Sequence, residues 1–234
     1  MKIGGFQKFS LLDYPGELSA IVFTQGCNFR CPYCHNPELV LPELYSPLLN
    51  TEKVLRFLYR RRKKLSALVV TGGEPTLQED LVPFLKLLKA MRYKVKLDTN
   101  GAHPDVLAQV IYAGAADYIA MDIKAPLPLY QKLTRSRVKQ EDIIRSMELI
   151  RLSGLDYEFR TTVAPEILFG DDLFDIHQLL NQGDHYYIQP CHYSTTLDDL
   201  KGHELPETDL KQNMEYQRLQ DWAEKHRVKI ELRG

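Results

Sequence analysis

The sequence predicts an α/β fold: an open, partial (β/α)6 barrel similar to part of a TIM barrel. Six short apolar segments rich in β-branched residues alternate with helical segments, which requires parallel strands and right-handed crossovers. Six units fall short of the eight that close a full barrel. Polar clusters follow the predicted strands where each one ends, and in parallel α/β folds active sites gather at that edge.

The elements follow one another without a composition break. The predicted parallel strands are 19–24, 68–71, 94–97, 118–121, 157–163 and 186–188, with a strand or hairpin arm at 2–12 and a terminal strand at 228–232. The predicted helices are 51–64, 79–91, 104–112, 141–153, 172–181 and 207–225, the first capped by Asn50. Helix 141–153 carries an apolar stripe of Ile143, Ile144, Met147 and Ile150.

We therefore expect a single domain over the 234 residues. It divides into an N-terminal strand and turn (1–18), a barrel core (19–192), and a C-terminal helix and strand (193–234).

Composition excludes several classes of partner. Hydrophobic residues make up 44% and charged residues 26%, and 30 basic against 31 acidic residues give a net charge of −1. No overall field therefore favours nucleic acid or a membrane surface. No apolar run is long enough to cross a bilayer, and the N-terminus has no secretory apolar region. We expect a cytoplasmic protein, because clustered cysteines also suit a reducing compartment.

Three of the four cysteines lie in one short loop after the first core strand. Cys27, Cys31 and Cys34 have the spacing C-x3-C-x2-C, which lets three thiolates face one metal centre and leaves a fourth position open. An iron–sulfur cluster with one open iron is the favoured interpretation. A structural zinc site is the alternative, with His35 as its fourth ligand, although zinc sites usually pair two separate knuckles. Cys191 is either buried packing or a thiol that lines the site.

The remaining strand ends carry glycines, acids and cations. Each has a structural alternative: Gly-Gly before Pro makes turns, Asp caps helices, and a lone histidine is often a surface residue. The functional interpretation assigns oxygen ligands, anion-binding cations and an exposed backbone to one shared site. The residues are Gly72, Gly73, Glu74 and Pro75, then Asp98 and Thr99, then Asp122 and Lys124, and finally Arg160 and His192.

These motifs resemble a known superfamily. The three cysteines, with Tyr33 between the last two, are similar to the signature of radical S-adenosylmethionine (SAM) enzymes, and Gly72–Pro75 resembles their GGEP motif. Residues 98–101 and 121–124 narrow the resemblance to the glycyl-radical-enzyme activating enzymes. The whole chain, including 9–16, resembles the activating proteins of anaerobic ribonucleoside-triphosphate reductase, and also pyruvate formate-lyase activating enzyme.

The resemblance implies a partial barrel of the radical SAM type and a set of residue roles. Three thiolates would hold one [4Fe-4S] cluster, the only cluster expected, and SAM would chelate its open iron. Gly72, Gly73, Glu74 and Pro75 would bind the SAM amino group, and the Tyr33 backbone would hold adenine. Lys124, Arg160 and His192 would contact SAM, while Asp98, Thr99 and Asp122 would form a monovalent-cation site beside SAM.

The same resemblance implies a reaction and partners. One electron from the cluster would cleave SAM, and the resulting 5′-deoxyadenosyl radical would remove a hydrogen atom from a glycine of a glycyl-radical enzyme. A flavodoxin or ferredoxin would supply the electron, since the cluster potential must be low. Three alternatives stay open: a small-molecule radical SAM enzyme such as 7-carboxy-7-deazaguanine synthase, an iron–sulfur electron carrier, and a zinc-stabilised binding module.

Overall fold

The computed structural model describes residues 1–201 and 207–233. Its strands form one eight-stranded sheet whose order in space is the order in the chain. The strands are β1 (Ile3–Ser10), β2 (Ser19–Thr24), β3 (Ala67–Gly72), β4 (Lys94–Thr99), β5 (Tyr118–Asp122), β6 (Asp156–Val163), β7 (His185–Pro190) and β8 (Lys229–Leu232).

The sheet is a parallel, open barrel with one antiparallel edge. β1 pairs antiparallel with β2, and every pair from β2 to β8 is parallel. Among the described residues β1 and β8 are the two ends of the sheet and do not pair with each other. The predicted fold class is therefore confirmed. The terminal strand β8 extends the parallel part beyond the six predicted strands.

Helices connect the strands on the outside of the sheet. In the described part of the chain they are α1 (Pro37–Val40), α2 (Thr51–Arg61), α3 (Leu81–Ala90), α4 (Pro104–Tyr112), α5 (Tyr130–Thr134), α6 (Gln140–Leu152), α7 (Asp171–Asp175), α8 (Glu207–Gln212) and α9 (Met214–His226). The Asn50 side chain accepts a hydrogen bond from Lys53 N–H and so caps α2 as expected. None of the described helices is long and apolar enough to cross a membrane.

Three helix predictions differ from the structure. The predicted helix 172–181 is the short α7 followed by a 3-10 turn, Ile176–Leu179. The predicted helix 207–225 is broken at Asn213, whose side chain accepts from Tyr216 N–H and starts a new helix. On α6, Ile143, Met147 and Ile150 are buried, but Ile144 is 38% exposed and lies outside the apolar stripe.

The two faces of the sheet differ most clearly at β4. The outward face of β4 carries Val95 and Leu97, which are fully buried against the helices. The inward face of the same strand carries Lys96 and Asp98. The main core is therefore the layer between sheet and helices. The inward face combines these polar residues with a small apolar cluster of Tyr14, Ile21, Ala67 and Val69.

Candidate active site

The cysteine loop follows β2 and opens onto a cavity of about 350 Å³, within the range of small-molecule sites. Cys27, Cys31 and Cys34 all line this cavity. Burial raises the pKa of Cys27 to about 11 and that of Cys31 to about 12, and it also raises the pKa of Cys34. Charge on one thiolate further opposes charge on the next. The three groups are thus neutral thiols until a metal centre replaces their protons.

Backbone contacts hold the loop in shape. The Arg30 guanidinium donates to the carbonyl oxygens of Cys27 (2.7 Å) and Phe29 (2.8 Å), which fixes the first turn of the loop. Cys34 N–H donates to Cys31 O at 3.0 Å, which closes a tight turn between these two cysteines. These contacts within the loop hold the turns from which the thiols project.

Gly72 and Gly73 bring the end of β3 against the start of this loop. A Cβ on Gly73 would lie 2.1 Å from Gly26 O, and Gly72 has φ +114° with Thr24 N 2.4 Å from an added Cβ. Gly73 N–H donates to Thr24 O, and Glu74 N–H donates to Gly26 O. The glycines are needed for this close approach of two backbones, and these two N–H groups are used inside the protein. We call the cysteine loop together with Gly72–Glu74 the cysteine wall.

Glu74 braces the loops after β3 and β4. One carboxylate oxygen accepts from Thr76 N–H, the Thr76 hydroxyl and the Thr99 hydroxyl, and the other accepts from Asn100 N–H at 2.7 Å. Burial raises the pKa of Glu74, although these hydrogen bonds oppose the shift. Its side chain is 1% exposed. Glu74 and Thr99 therefore reach the cavity as parts of an internal hydrogen-bond network.

Charged side chains, rather than backbone groups, line the cavity at the end of β5 and within β6. Lys124 Nζ lies 3.0 Å from one Asp122 oxygen, and Arg160 Nε lies 2.9 Å from the other. Burial raises the pKa of Asp122, but Arg160 and Lys124 outweigh it and lower that pKa to about 2. Asp122 stays ionised, and it holds both cations at the cavity. Such a pair suits a carboxylate ligand.

A second layer of charge lies deeper in the barrel. Arg160 reaches Asp98 at 3.3 Å and Glu158 at 3.7 Å, and Lys96 lies 3.4 Å from Glu158. One oxygen of Asp98 is buried without a hydrogen bond, with Lys96 Nζ at 3.6 Å. We call these residues the charged wall: Lys96, Asp98, Asp122, Lys124, Glu158 and Arg160.

Twelve of the fourteen predicted site residues line the cavity. Pro75 and His192 are not among its lining residues: Pro75 is buried behind the loop, and His192 is exposed while its backbone N–H donates to His35 Nε2 at 3.2 Å. Cys191 is 1% exposed and its sulfur lies 3.6 Å from His35 Nε2. His35 lines the cavity.

Six polar lining residues were not among the predicted site residues: Asp13, Asn36, Thr71, Asn100, Thr162 and Gln189. Thr162 lies two residues after Arg160 on the same face of β6, so the alternation of side chains along the strand could have predicted it. Gln189 lies in β7. Asp13 reaches the cavity from the turn after β1, and its carbonyl accepts from Lys96 Nζ at 2.7 Å. Only the folded turn places it there.

Within residues 1–201 and 207–233, no three His, Cys, Asp or Glu side chains converge closely enough to hold a single metal ion. The cysteines instead lie around the wall of the shared cavity.

Comparison with known proteins assigns this arrangement to a family. A profile of the radical SAM superfamily matches residues 21–181. A Methanocaldococcus jannaschii protein, provisionally assigned as a glycyl-radical enzyme activating enzyme, is 33% identical over 195 residues, covering 80% of this chain and 78% of that protein. The pyruvate formate-lyase-activating enzyme of Clostridium pasteurianum is 29% identical over 192 residues, covering 77% and 75%.

Among solved structures, Streptococcus suis SuiB bound to S-adenosylmethionine has a TM-score of 0.64 and 13% identity, covering 92% of this chain and 52% of SuiB. At this identity the similarity concerns the fold.

The chain belongs to the radical SAM superfamily. It is therefore an enzyme of the class that uses a [4Fe-4S] cluster and SAM, and the resemblance to glycyl-radical-enzyme activating enzymes is confirmed.

The residues of the cavity fit these two groups. Three thiols supply the sulfur ligands that a cluster requires. The cations of the charged wall, with the Asp98 oxygen that lacks a hydrogen bond, supply a polar surface for an amino acid moiety.

Proposed function

We propose that the chain activates a glycyl-radical enzyme, most specifically an anaerobic ribonucleoside-triphosphate reductase, by removing a hydrogen atom from one of its glycines. The similarity to two activating enzymes over more than three quarters of the chain carries the proposal. The resemblance of residues 9–16 to the reductase-activating proteins supports the choice of partner. We further propose that a flavodoxin or ferredoxin supplies the electron, in the reducing cytoplasm.

In this proposal the cysteine wall holds the cluster. Cys27, Cys31 and Cys34 bind three irons as thiolates, and the Gly73–Gly26 contact holds the loop after β3 against them. When bound, the reduced cluster supplies the electron that cleaves SAM to methionine and the radical that acts on glycine. The protein itself supplies position, since holding the reacting groups close together removes most of the entropic cost of the reaction.

The charged wall holds SAM. Lys124 and Arg160 lie within one cavity with the cysteines, and Asp122 orients both by accepting one ion pair on each oxygen. They would bind the SAM carboxylate, while the carbonyl groups of Gly72–Pro75 would bind its amino group and the Tyr33 backbone its adenine. Asp98, Thr99 and Asp122 would hold a monovalent cation beside it. We keep His192 as a SAM contact only on the resemblance, because its side chain faces solvent.

Anaerobic reconstitution tests the proposal. The protein is loaded with iron and sulfide, reduced, and incubated with SAM and the purified anaerobic reductase, and electron paramagnetic resonance then detects the glycyl radical. We expect that signal with the reductase and none without it. A signal with pyruvate formate-lyase alone would move the proposal to another glycyl-radical partner.

Two further outcomes would contradict the proposal. Release of 5′-deoxyadenosine without a protein radical, together with turnover of a small molecule, would indicate an enzyme such as 7-carboxy-7-deazaguanine synthase. No 5′-deoxyadenosine at all, from a protein with a full and reducible cluster, would indicate an electron carrier.

A further inference from the structure

Two segments distant in sequence grip the cysteine loop from outside the cavity. Arg30 N–H donates to Thr134 O at 2.8 Å, where α5 ends. Pro32 O accepts from Asp198 N–H at 3.1 Å, in the segment that follows β7. These two backbone groups of the loop lie on either side of Cys31. They depend on partners from other parts of the fold.

An ion pair joins the two gripping segments to each other. The Arg135 guanidinium meets the Asp198 carboxylate in a two-bond fork, with Nη1 2.8 Å from Oδ1 and Nη2 bonded to Oδ2. The contacts therefore close a ring that runs from the loop to Thr134, through Arg135 and Asp198, and back to the loop at Pro32. We call this ring the Arg135–Asp198 clasp.

Both sides of the clasp are anchored. Tyr130, at the start of α5, is buried, and its hydroxyl donates to Asp122 O and accepts from Lys124 N–H. On the other side, Asp199 N–H donates to Thr196 O, and Thr196 is 8% exposed. Arg135 itself has φ 48°, a left-handed conformation that is unfavourable for a non-glycine residue. The surrounding contacts therefore hold Arg135 in an unfavourable backbone conformation.

The clasp surrounds the most buried cysteine of the loop. Cys31 is 6% exposed, whereas Cys27 and Cys34 are half-buried. An isolated ion pair at this exposure contributes little to stability. This one differs because it joins the two segments whose backbone groups hydrogen-bond to the loop.

We propose that the Arg135–Asp198 clasp positions the cysteine loop and sets how firmly the protein retains its cluster, by keeping Cys31 and its iron away from solvent. Arg135 and Asp198 are positioning residues, since they act through the loop. The inference rests on the cluster site of the superfamily and not on the choice of a glycyl-radical partner.

Iron loss from the reconstituted holoenzyme tests the clasp without any partner protein. The cluster is challenged anaerobically with an iron chelator, and its visible absorbance and bound iron are followed with time in Arg135→Gln, Asp198→Asn and the double variant. We expect iron to leave about fivefold faster than in the wild type in each single variant. The double variant should lose iron at the same rate as the single variants, because the same ring is opened in all three. Arg135→Lys keeps the charge but loses the fork and should fall between.

A matched control and a second measurement separate positioning from charge. Arg145→Gln removes an equally exposed arginine from an ion pair with Asp105, far from the loop in sequence, and should leave iron loss unchanged. The cluster potential should fall in Arg135→Gln and rise in Asp198→Asn, because the two changes remove charges of opposite sign.

The measured pattern decides the inference. Faster iron loss in both variants, despite opposite shifts in potential, supports the clasp. Iron loss at the wild-type rate, additive effects in the double variant, or loss rates that follow the sign of the potential shift would each overturn it. A failed glycyl-radical assay would leave this result untouched, so the two proposals fail separately.

Discussion

The cysteine wall and the charged wall line the same cavity but are held by different forces. The cysteine wall is set by backbone: a tight turn, two backbone hydrogen bonds to Thr24 O and Gly26 O, and glycines that allow the approach. The charged wall is set by ion pairs between side chains from three strands and the loop after β5. Arg160 pairs with three carboxylates, and Lys124 pairs with one. The first wall presents ligands for metal, and the second presents charge for an organic ligand. The two should therefore fail in different ways.

The largest expected effect is loss of a cluster ligand. Cys31→Ala removes one of three thiolates, and the deeply buried position offers no replacement. We expect little bound iron and SAM cleavage reduced by about 10³-fold or more, as for removal of one member of a catalytic unit. Iron analysis and 5′-deoxyadenosine release measure this. Cys191→Ala is the matched control and should retain about four irons per chain. A full cluster in Cys31→Ala would contradict the ligand assignment.

Gly73→Ala tests the backbone contact within the cysteine wall. Its Cβ would lie 2.1 Å from Gly26 O, so the loop after β3 must move away from the cysteine loop. A shift of this size should reduce SAM cleavage by about 100-fold. Gly114→Ala is the control: at φ +58° with no atom within 4 Å of its Cβ, it should lower stability by about 1 kcal/mol and leave cleavage intact. Equal activity in both variants would show that the contact is not needed.

Arg160→Gln tests the charged wall. The change leaves Asp98 and Asp122 without their shared cation, and it removes one of two cations proposed to bind SAM. We expect SAM to bind about 30-fold more weakly in equilibrium dialysis, while iron content stays at the wild-type level. Lys124→Gln, which breaks one ion pair, should give a smaller loss of about tenfold. Loss of iron in either variant would show that the two walls are not independent.

The sequence predicted the two walls unequally for physical reasons. Cys27, Cys31 and Cys34 are neighbours in the chain, so their spacing alone indicates a shared centre. Asp98, Asp122 and Arg160 lie on three different strands, and they were predicted from their place in the predicted strands together with the family resemblance. Lys96 and Glu158 were missed, although each lies two residues before a predicted residue on the same inward face. Their ion-pair partners lie on neighbouring strands, and the order of the strands cannot be read from residue spacing along one strand.

The turn residues and the C-terminal residues show the same limit. Asp13 reaches the cavity because β1 folds back against β2 and Lys96 binds the carbonyl of the following turn. His192 was placed by its position after a strand, yet its side chain faces outward. A residue beyond a strand end can turn either way, whereas a residue within a strand cannot. Predictions within strands were therefore the more secure ones.

The smallest expected effect is the acid sensitivity of the charged wall. Burial raises the pKa of Glu158, but Arg233, Lys96 and Arg160 outweigh it and bring that pKa to about 2. The unfolded carboxyl binds its proton near pH 4.5, so between about pH 4.5 and 2 the unfolded state holds the extra proton. Glu158 therefore contributes stability above that range, and the contribution is lost as the pH falls through it.

Urea unfolding of the cluster-free protein at a series of pH values between 6 and 3 measures this loss. The free energy of unfolding should fall with decreasing pH, and the slope should be smaller in Glu158→Gln by up to about 1.4 kcal/mol per pH unit, the value for one proton. Glu158→Gln will also be less stable at pH 6, because Lys96 and Arg233 lose a buried partner. The slope of unfolding free energy against pH reports the titration of Glu158, whereas the lower stability at pH 6 reports the lost ion pairs. Asp105→Asn, an exposed carboxylate, should leave the slope unchanged. Identical slopes in wild type and Glu158→Gln would mean that the inner layer of the charged wall does not hold its charge in the folded protein.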